Sequence, residues 1–102
     1  QPHQSKRLKA LFKEFAAAFD EADHLILLPI YKVVGRDKLY HKYSPEKLSE
    51  LVRKRKKTDV RYYRSPLNLK DELKKVLANE KSAVIIMMGA GNIVEYTAHL
   101  LK

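Results

Sequence analysis

Apolar residues along the chain follow two patterns, helix-like spacing and short continuous runs. Over residues 5–19, apolar side chains recur every three or four positions, which is the spacing of one helix face. Three further segments, which begin near residues 45, 69 and 93, repeat this spacing. The chain therefore predicts four helices. Their inward positions are Leu8, Leu11, Phe12, Phe15 and Phe19; Leu48, Leu51 and Val52; Leu69, Leu73, Val76 and Leu77; and Ile93, Val94, Thr97, Leu100 and Leu101.

Three apolar runs separate these helices and predict strands. Residues 24–28 form a short run that Pro29 ends, and residues 59–63 form a weaker one. The run at residues 83–88 has no polar position and leads into Gly89-Ala90-Gly91. Runs without polar alternation are typical of strands that are buried on both faces of a parallel sheet. Residues 29–43 show no periodicity, so they predict a long surface loop.

The order of the elements predicts the fold class. A helix lies between each pair of successive strands, which implies crossover connections and a parallel sheet. We therefore expect a single domain over residues 1–102, a Rossmann-like three-layer α/β/α fold with a mostly parallel sheet. Four helices are too many for three strands to cover. We expect a further strand immediately before Gln1, so that the chain is a fragment lacking the first strand of its sheet.

Composition narrows the classes of partner. The 102 residues include no cysteine, which excludes disulfides, thiolate zinc sites and cysteine nucleophiles. The apolar runs are far shorter than the roughly 20 residues of a membrane span. A net charge of +9 favours an anionic partner, which could be nucleic acid, a membrane surface or a phosphorylated small molecule. The basic run at residues 53–57 is either a solvated helix end or a nucleic-acid contact.

Candidate chemistry gathers at one edge of the predicted sheet. The carboxyl ends of parallel strands share an edge, so residues 1–7, 29–43, 64–68 and 89–92 should converge there. They form a cationic, hydrogen-bonding rim suited to a carboxylate or phosphate. No nucleophile elbow and no P-loop is present, and the four histidines lack metal-ligand spacing, so we expect no catalytic residue and no metal site. The rim residues are His3, Arg7, Tyr31, Arg36, Arg64, Gly89 and Gly91.

Several short motifs carry a family resemblance. They are Gln1-Pro2-His3 with Arg7, Ala-Leu-Phe-Lys-Glu-Phe at 10–15, Ala-Asp-His-Leu-Ile-Leu-Leu at 22–28, Ile30-Tyr31, and Met-Gly-Ala-Gly-Asn-Ile at 88–93. In order and spacing, from residue 1 to the end, they resemble the C-terminal domain of the Mur ligases of peptidoglycan synthesis. The resemblance is strongest to the members that add L-alanine to UDP-N-acetylmuramate.

The resemblance implies a function for the rim. In that family a central domain uses ATP and Mg²⁺ to phosphorylate the muramoyl carboxylate, and an N-terminal domain binds the UDP-sugar. The C-terminal domain binds the amino acid, whose amine attacks the acyl phosphate. His3 and Arg7 match the positions that engage the L-alanine carboxylate. Tyr31, Gly89, Gly91 and Asn92 would belong to substrate or domain-closure loops. A cytoplasmic enzyme is implied, with no membrane or nucleic-acid partner and no cofactor bound by this fragment, which alone would be inactive.

Three departures from the family pattern leave alternatives open. Gln4 replaces a second carboxylate-binding arginine, Pro29 replaces an aspartate, and Asn92 replaces the aspartate that usually follows Gly-Ala-Gly. The amino acid accepted is therefore open. One alternative is a degenerate relative that keeps the fold without the activity. Another is a stand-alone module that binds nucleic acid or another polyanion through the basic run at 53–57.

Overall fold

Two parallel strands organise the part of the chain that the computed structural model describes, namely residues 1, 5–30, 43–65, 69–89 and 92–100. Strand β1 (His24–Leu27) pairs with β2 (Asp59–Tyr62). His24 lies opposite Asp59, and Leu27 lies opposite Tyr62. The Tyr63 amide extends the pairing by donating to the Leu27 carbonyl at 3.0 Å. The strands predicted at residues 24–28 and 59–63 are confirmed.

The first predicted helix is divided in two. Helix α1 covers Ser5–Ala10 and α2 covers Phe12–Ala18, with Leu11 between them at φ −118° and ψ 24°. The Leu11 amide still donates to the Arg7 carbonyl at 3.1 Å, so the hydrogen-bond ladder continues through the break. Leu11 is 43% exposed, so its predicted inward position is wrong, and Ala16 is buried instead.

Helix α3 (Pro45–Arg55) begins where the sequence predicts. Ser44 caps it, because the side-chain oxygen accepts the Lys47 amide at 3.1 Å, and proline occupies the first turn. The helix ends at Lys56, whose φ of 58° lies in the left-handed region. A left-handed residue after the last turn is a common way to end a helix, although glycine is the usual residue there.

Two shorter helices follow β2. Helix α4 covers Leu69–Val76 and α5 covers Ile93–Leu100, as the spacing predicts. Val94 is 74% exposed, however, so its predicted inward position is wrong. Among the helices of the described ranges, none is long and apolar enough to cross a bilayer.

Hydrophobic side chains fill both faces of the sheet. Leu27 and Val60 point to the face where α1, α2 and α3 supply Leu8, Ala16 and Leu48. The neighbouring positions point the other way, since successive strand residues alternate between faces. There Leu28, Leu69 and Ile93 are buried together, and Ile26, Tyr63 and Tyr96 contact them. The expected three-layer α/β/α class is confirmed.

The run at residues 83–88 is not a strand. It forms no strand pairing within the described residues, and Val84 and Ile86 are 89% and 75% exposed. Met87 contacts the buried cluster of Leu28, Leu69 and Ile93. The predicted strand is wrong for this chain because, within the described residues, no second strand runs alongside to pair with it.

Candidate functional site

Gln1 lies against Met88 and Asn92, near the other end of the chain. The backbone nitrogen of Gln1 donates to the Met88 carbonyl oxygen at 2.9 Å. The Gln1 side-chain nitrogen donates to Asn92 Oδ1, also at 2.9 Å. These contacts join residues 87 and 91 positions apart in sequence. The structure therefore brings together two of the segments that the parallel topology places at one edge.

Asn92 uses both atoms of its amide group. Its oxygen accepts from Gln1, and its nitrogen donates to the Tyr96 hydroxyl at 2.9 Å. Asn92 directly precedes α5, so Tyr96 lies one helical turn further along the same face. The Tyr96 ring contacts the buried cluster of Leu28, Leu69 and Ile93, which holds its hydroxyl in place.

Gly89 is required by the close approach of Gln1. A Cβ atom at this position would lie 3.1 Å from Ile93 Cγ2 and 3.3 Å from the Gln1 carbonyl oxygen. Both distances are shorter than ordinary van der Waals contact. A side chain here would push the first residues of the chain away from the loop.

The structure describes only some of the remaining predicted site residues. Arg7 lies on α1 with its side chain exposed, and the structure gives it no ion pair with any described residue. His3, Tyr31, Gly91 and Arg36 lie outside the described residues. The binding roles of all these residues stay predictions.

A histidine cluster lies at the opposite edge of the sheet, where β1 and β2 begin. His24 Nδ1 lies 3.0 Å from Asp59 Oδ2, and His24 Nε2 lies 3.4 Å from Glu80 Oε1. Arg61 Nε approaches the same Asp59 oxygen at 3.5 Å. The hydrogen bond between His24 and Asp59 raises the pKa of His24 and lowers that of Asp59. The Asp59 and Glu80 carboxylates contact different nitrogens of the His24 ring, so these residues form an ion-pair cluster. Among the described residues, no three His, Cys, Asp or Glu side chains could together hold a metal ion.

The basic run at residues 53–57 is partly used within the fold. Two nitrogens of Arg55 donate to the Asp20 carboxylate, and Nε lies 2.7 Å from Oδ1. This contact lowers the pKa of Asp20. Lys57 Nζ lies 3.7 Å from the same carboxylate, and Arg53 donates to the Val60 carbonyl at 3.3 Å. These contacts hold the end of α3 against the amino edge of the sheet, which is the edge opposite Gly89.

Sequence reasoning missed three of these features, and two had a signal. The four-residue spacing of Asn92 and Tyr96 at a helix start permits a side-chain pair. His24 and Asp59 each open a predicted parallel strand, so they could be expected to be neighbours. The sequence does not indicate the contact of Gln1 with Asn92, because the two residues lie 91 positions apart and no local pattern links them.

Comparison with known proteins places the chain in a family. No model of a protein family matches the chain. Curated relatives do match it, and three of them serve as examples. They come from Sulfurihydrogenibium sp., 38% identical over 102 residues, and from Allorhizobium ampelinum and Trichlorobacter lovleyi, both 34% identical over 102 residues. The matches cover 98–100% of this chain but only 20–22% of the relatives. The chain thus spans about one fifth of their length.

The similarity extends along the whole of this chain, which has an α/β fold. By sequence the chain belongs to the Mur ligase family, as the motifs predict. Each of the three relatives is named UDP-N-acetylmuramate--L-alanine ligase. The similarity to the alanine-adding members is therefore confirmed.

Proposed function

We propose that this chain is the C-terminal, amino-acid-binding domain of a cytoplasmic, ATP-dependent ligase that joins L-alanine to UDP-N-acetylmuramate. The observation that carries the proposal is the attachment of Gln1 to Met88 and Asn92. This attachment holds Gln1, which comes two positions before His3 and six before Arg7 in sequence, beside Met88 and Asn92. Ligands of open α/β sheets bind at such an edge.

Arg7 and His3 would bind the carboxylate of the amino acid. A guanidinium presents a planar pair of donors that matches a carboxylate, so it orients the ligand as well as attracting it. The exposure of Arg7, and its lack of an ion pair with any described residue, leave its charge available for this role. Tyr31, Gly89, Gly91 and Asn92 would form the facing wall, and the bound amine would point toward the activated muramoyl group.

The residues of this chain do not fit ATP or Mg²⁺. The sequence has no Gly-rich loop ending in Gly-Lys-Ser or Gly-Lys-Thr, the motif that holds nucleotide phosphates in P-loop proteins. ATP and Mg²⁺ would be bound by the central domain of a longer protein, and the UDP-sugar by its N-terminal domain. The partners of this chain would then be those two domains and the amino acid.

A strand before Gln1 would complete the domain. The Gln1 nitrogen already contacts the Met88 carbonyl as a residue at the end of a neighbouring parallel strand would. Such a strand would lie between β1 and residues 83–88, cover the exposed side chains of Val84 and Ile86, and end at the rim. The greater length of the relatives allows for this segment.

The direct test replaces Arg7 with alanine in the complete ligase that contains this chain. A charge-assisted hydrogen bond contributes about 1.5–3 kcal/mol, so R7A should raise the KM for L-alanine roughly 10- to 100-fold. The KM for ATP should stay unchanged. Arg7→Lys should give an intermediate value, since it keeps the charge and loses the paired donors. Lys13→Ala, an exposed cation on α2, is the matched control.

Two results would count against the proposal. An unchanged KM for L-alanine in R7A would remove Arg7 from the site. Absence of turnover by the unmodified ligase with alanine, serine or glycine would instead favour a degenerate relative that keeps only the fold. Turnover of another small amino acid would keep the amino-acid-binding role and change the substrate, as Gln4, Pro29 and Asn92 leave open.

A further inference from the structure

Two nitrogen atoms of Gln1 donate to Met88 and Asn92, and Tyr96 accepts a hydrogen bond from the same Asn92 side chain. We propose that Tyr96, acting through Asn92, is a positioning residue for the amino-acid site. The inference rests on the proposed function, because it concerns the segment that leads to His3 and Arg7. The family resemblance described above assigns no function to Tyr96 or Gln1.

The first step runs from the core to Asn92. The Tyr96 ring packs against the buried cluster of Leu28, Leu69 and Ile93, so its hydroxyl has a fixed position at the start of α5. Asn92 donates to that hydroxyl at 2.9 Å. An amide has one donor end and one acceptor end, so this contact turns Asn92 Oδ1 toward the chain start.

A second hydrogen bond links Asn92 to Gln1. Asn92 Oδ1 accepts from the Gln1 side chain at 2.9 Å, while the Gln1 backbone nitrogen bonds to Met88. Gly89 lets the Gln1 carbonyl come close on the same side. Gln1 is thus held through both its backbone and its side chain, two residues before His3. Without the Asn92 contact, only the backbone contact of Gln1 with Met88 remains.

An aspartate at position 92 preserves this arrangement. A carboxylate can accept from both the Gln1 amide nitrogen and the Tyr96 hydroxyl, with Tyr96 then acting as donor. An aliphatic residue of similar size can do neither. The structure therefore separates a conservative change at this position from a disruptive one.

The experiment uses the complete ligase and compares Tyr96→Phe, Asn92→Leu and Asn92→Asp. Loss of one neutral hydrogen bond corresponds to about a fivefold change, so Y96F should raise the KM for L-alanine about fivefold. N92L should raise it further, by roughly tenfold or more, because it removes both bonds. N92D should raise the KM for L-alanine less than N92L does, because a carboxylate can still accept both hydrogen bonds. Asn79→Leu, at an exposed position after α4, is the matched control away from the rim.

The outcomes separate positioning from stability and from the proposed function. The KM for ATP and the melting temperature should stay near the unmodified values in Y96F. Equal rises in the KM for all substrates, with a lower melting temperature, would show a purely structural role and overturn the inference. If R7A raises the KM for L-alanine but Y96F and N92L do not, the inference fails and the proposed function stands. If R7A also has no effect, both fail.

Discussion

Residues 24–28 and 83–88 are two apolar runs of similar length, but only the first forms a strand. The first forms β1, where Leu27 is 3% exposed and every strand residue pairs with β2. In the second, Val84 is 89% exposed and no pairing forms within the described residues. The difference lies in their neighbours, because a strand needs a second strand to satisfy its backbone groups. An apolar run therefore indicates where a strand can form, and its partner decides whether it does.

The two runs also differ in what holds them in place. β1 lies against side chains from α1, α2 and α3 on one face, and Ile26 contacts the second cluster on the other. Residues 83–88 contact that second cluster through Met87. Stability should therefore be concentrated around β1 and α3, and mutations there should cost the most.

The largest expected effect is that of Leu48→Ala. Leu48 is 1% exposed in α3, and truncating such a residue typically costs about 2–5 kcal/mol because it leaves a cavity. Val84→Ala removes apolar atoms that are already in solvent, so it should change stability by less than about 0.5 kcal/mol. Urea unfolding of the 102-residue chain measures both. Similar costs for the two variants would mean that residues 83–88 are buried after all.

The next prediction makes the two runs alike. In a chain extended upstream by its own coding sequence, the added strand should cover Val84, and V84A should then cost about 1–2 kcal/mol. Hydrogen exchange at the amides of Ile85, Ile86 and Met87 should slow in the same protein. Leu48→Ala should cost the same in both lengths. Amides at 85–87 that exchange equally fast with and without the extension would contradict the proposed strand.

Much of the fold could be predicted because its elements carry their own signals. Ser44 and Pro45 mark the start of α3, and the apolar runs mark β1 and β2. The state of residues 83–88 could not be predicted from their own residues, since it depends on a partner. The candidate edge followed from the parallel topology. The atoms that join its parts did not, because the contact between Gln1 and Asn92 spans 91 positions in sequence.

A moderate effect is expected from the histidine cluster, which ties Glu80, just before the exposed run, to the start of β1. The pKa of His24 is raised above 6.5, so its stabilisation is complete below that pH and is lost as pH rises through the folded-state value. The pKa of Asp59 is lowered below 3.8, so its contribution is lost only as pH falls through that lower value. Stabilisation by the cluster is therefore greatest from about pH 4 to 6.5.

Replacing His24 with glutamine tests this window. The groups are partly exposed, so H24Q should lower the free energy of unfolding by a few tenths to about 1 kcal/mol near pH 5.5. The cost should shrink above the folded-state pKa of His24. His99→Gln, at an exposed position on α5, is the matched control. A cost that grows as pH rises would mean that neutral His24 is the form that the fold stabilises.

The smallest expected effect concerns the end of α3, on the well-packed side of the comparison. Lys56 adopts φ 58°, a conformation that costs a residue with a Cβ about 1–2 kcal/mol and glycine almost nothing. Part of that gain is offset because glycine is freer in the unfolded chain, so Lys56→Gly should stabilise by about 0.5 kcal/mol. The same change at Lys54, inside the helix, should destabilise by about 0.5–1 kcal/mol. Urea unfolding of both variants gives the sign. Destabilisation by K56G would show that the Lys56 side chain contributes more through its charge at the helix end than its backbone conformation costs.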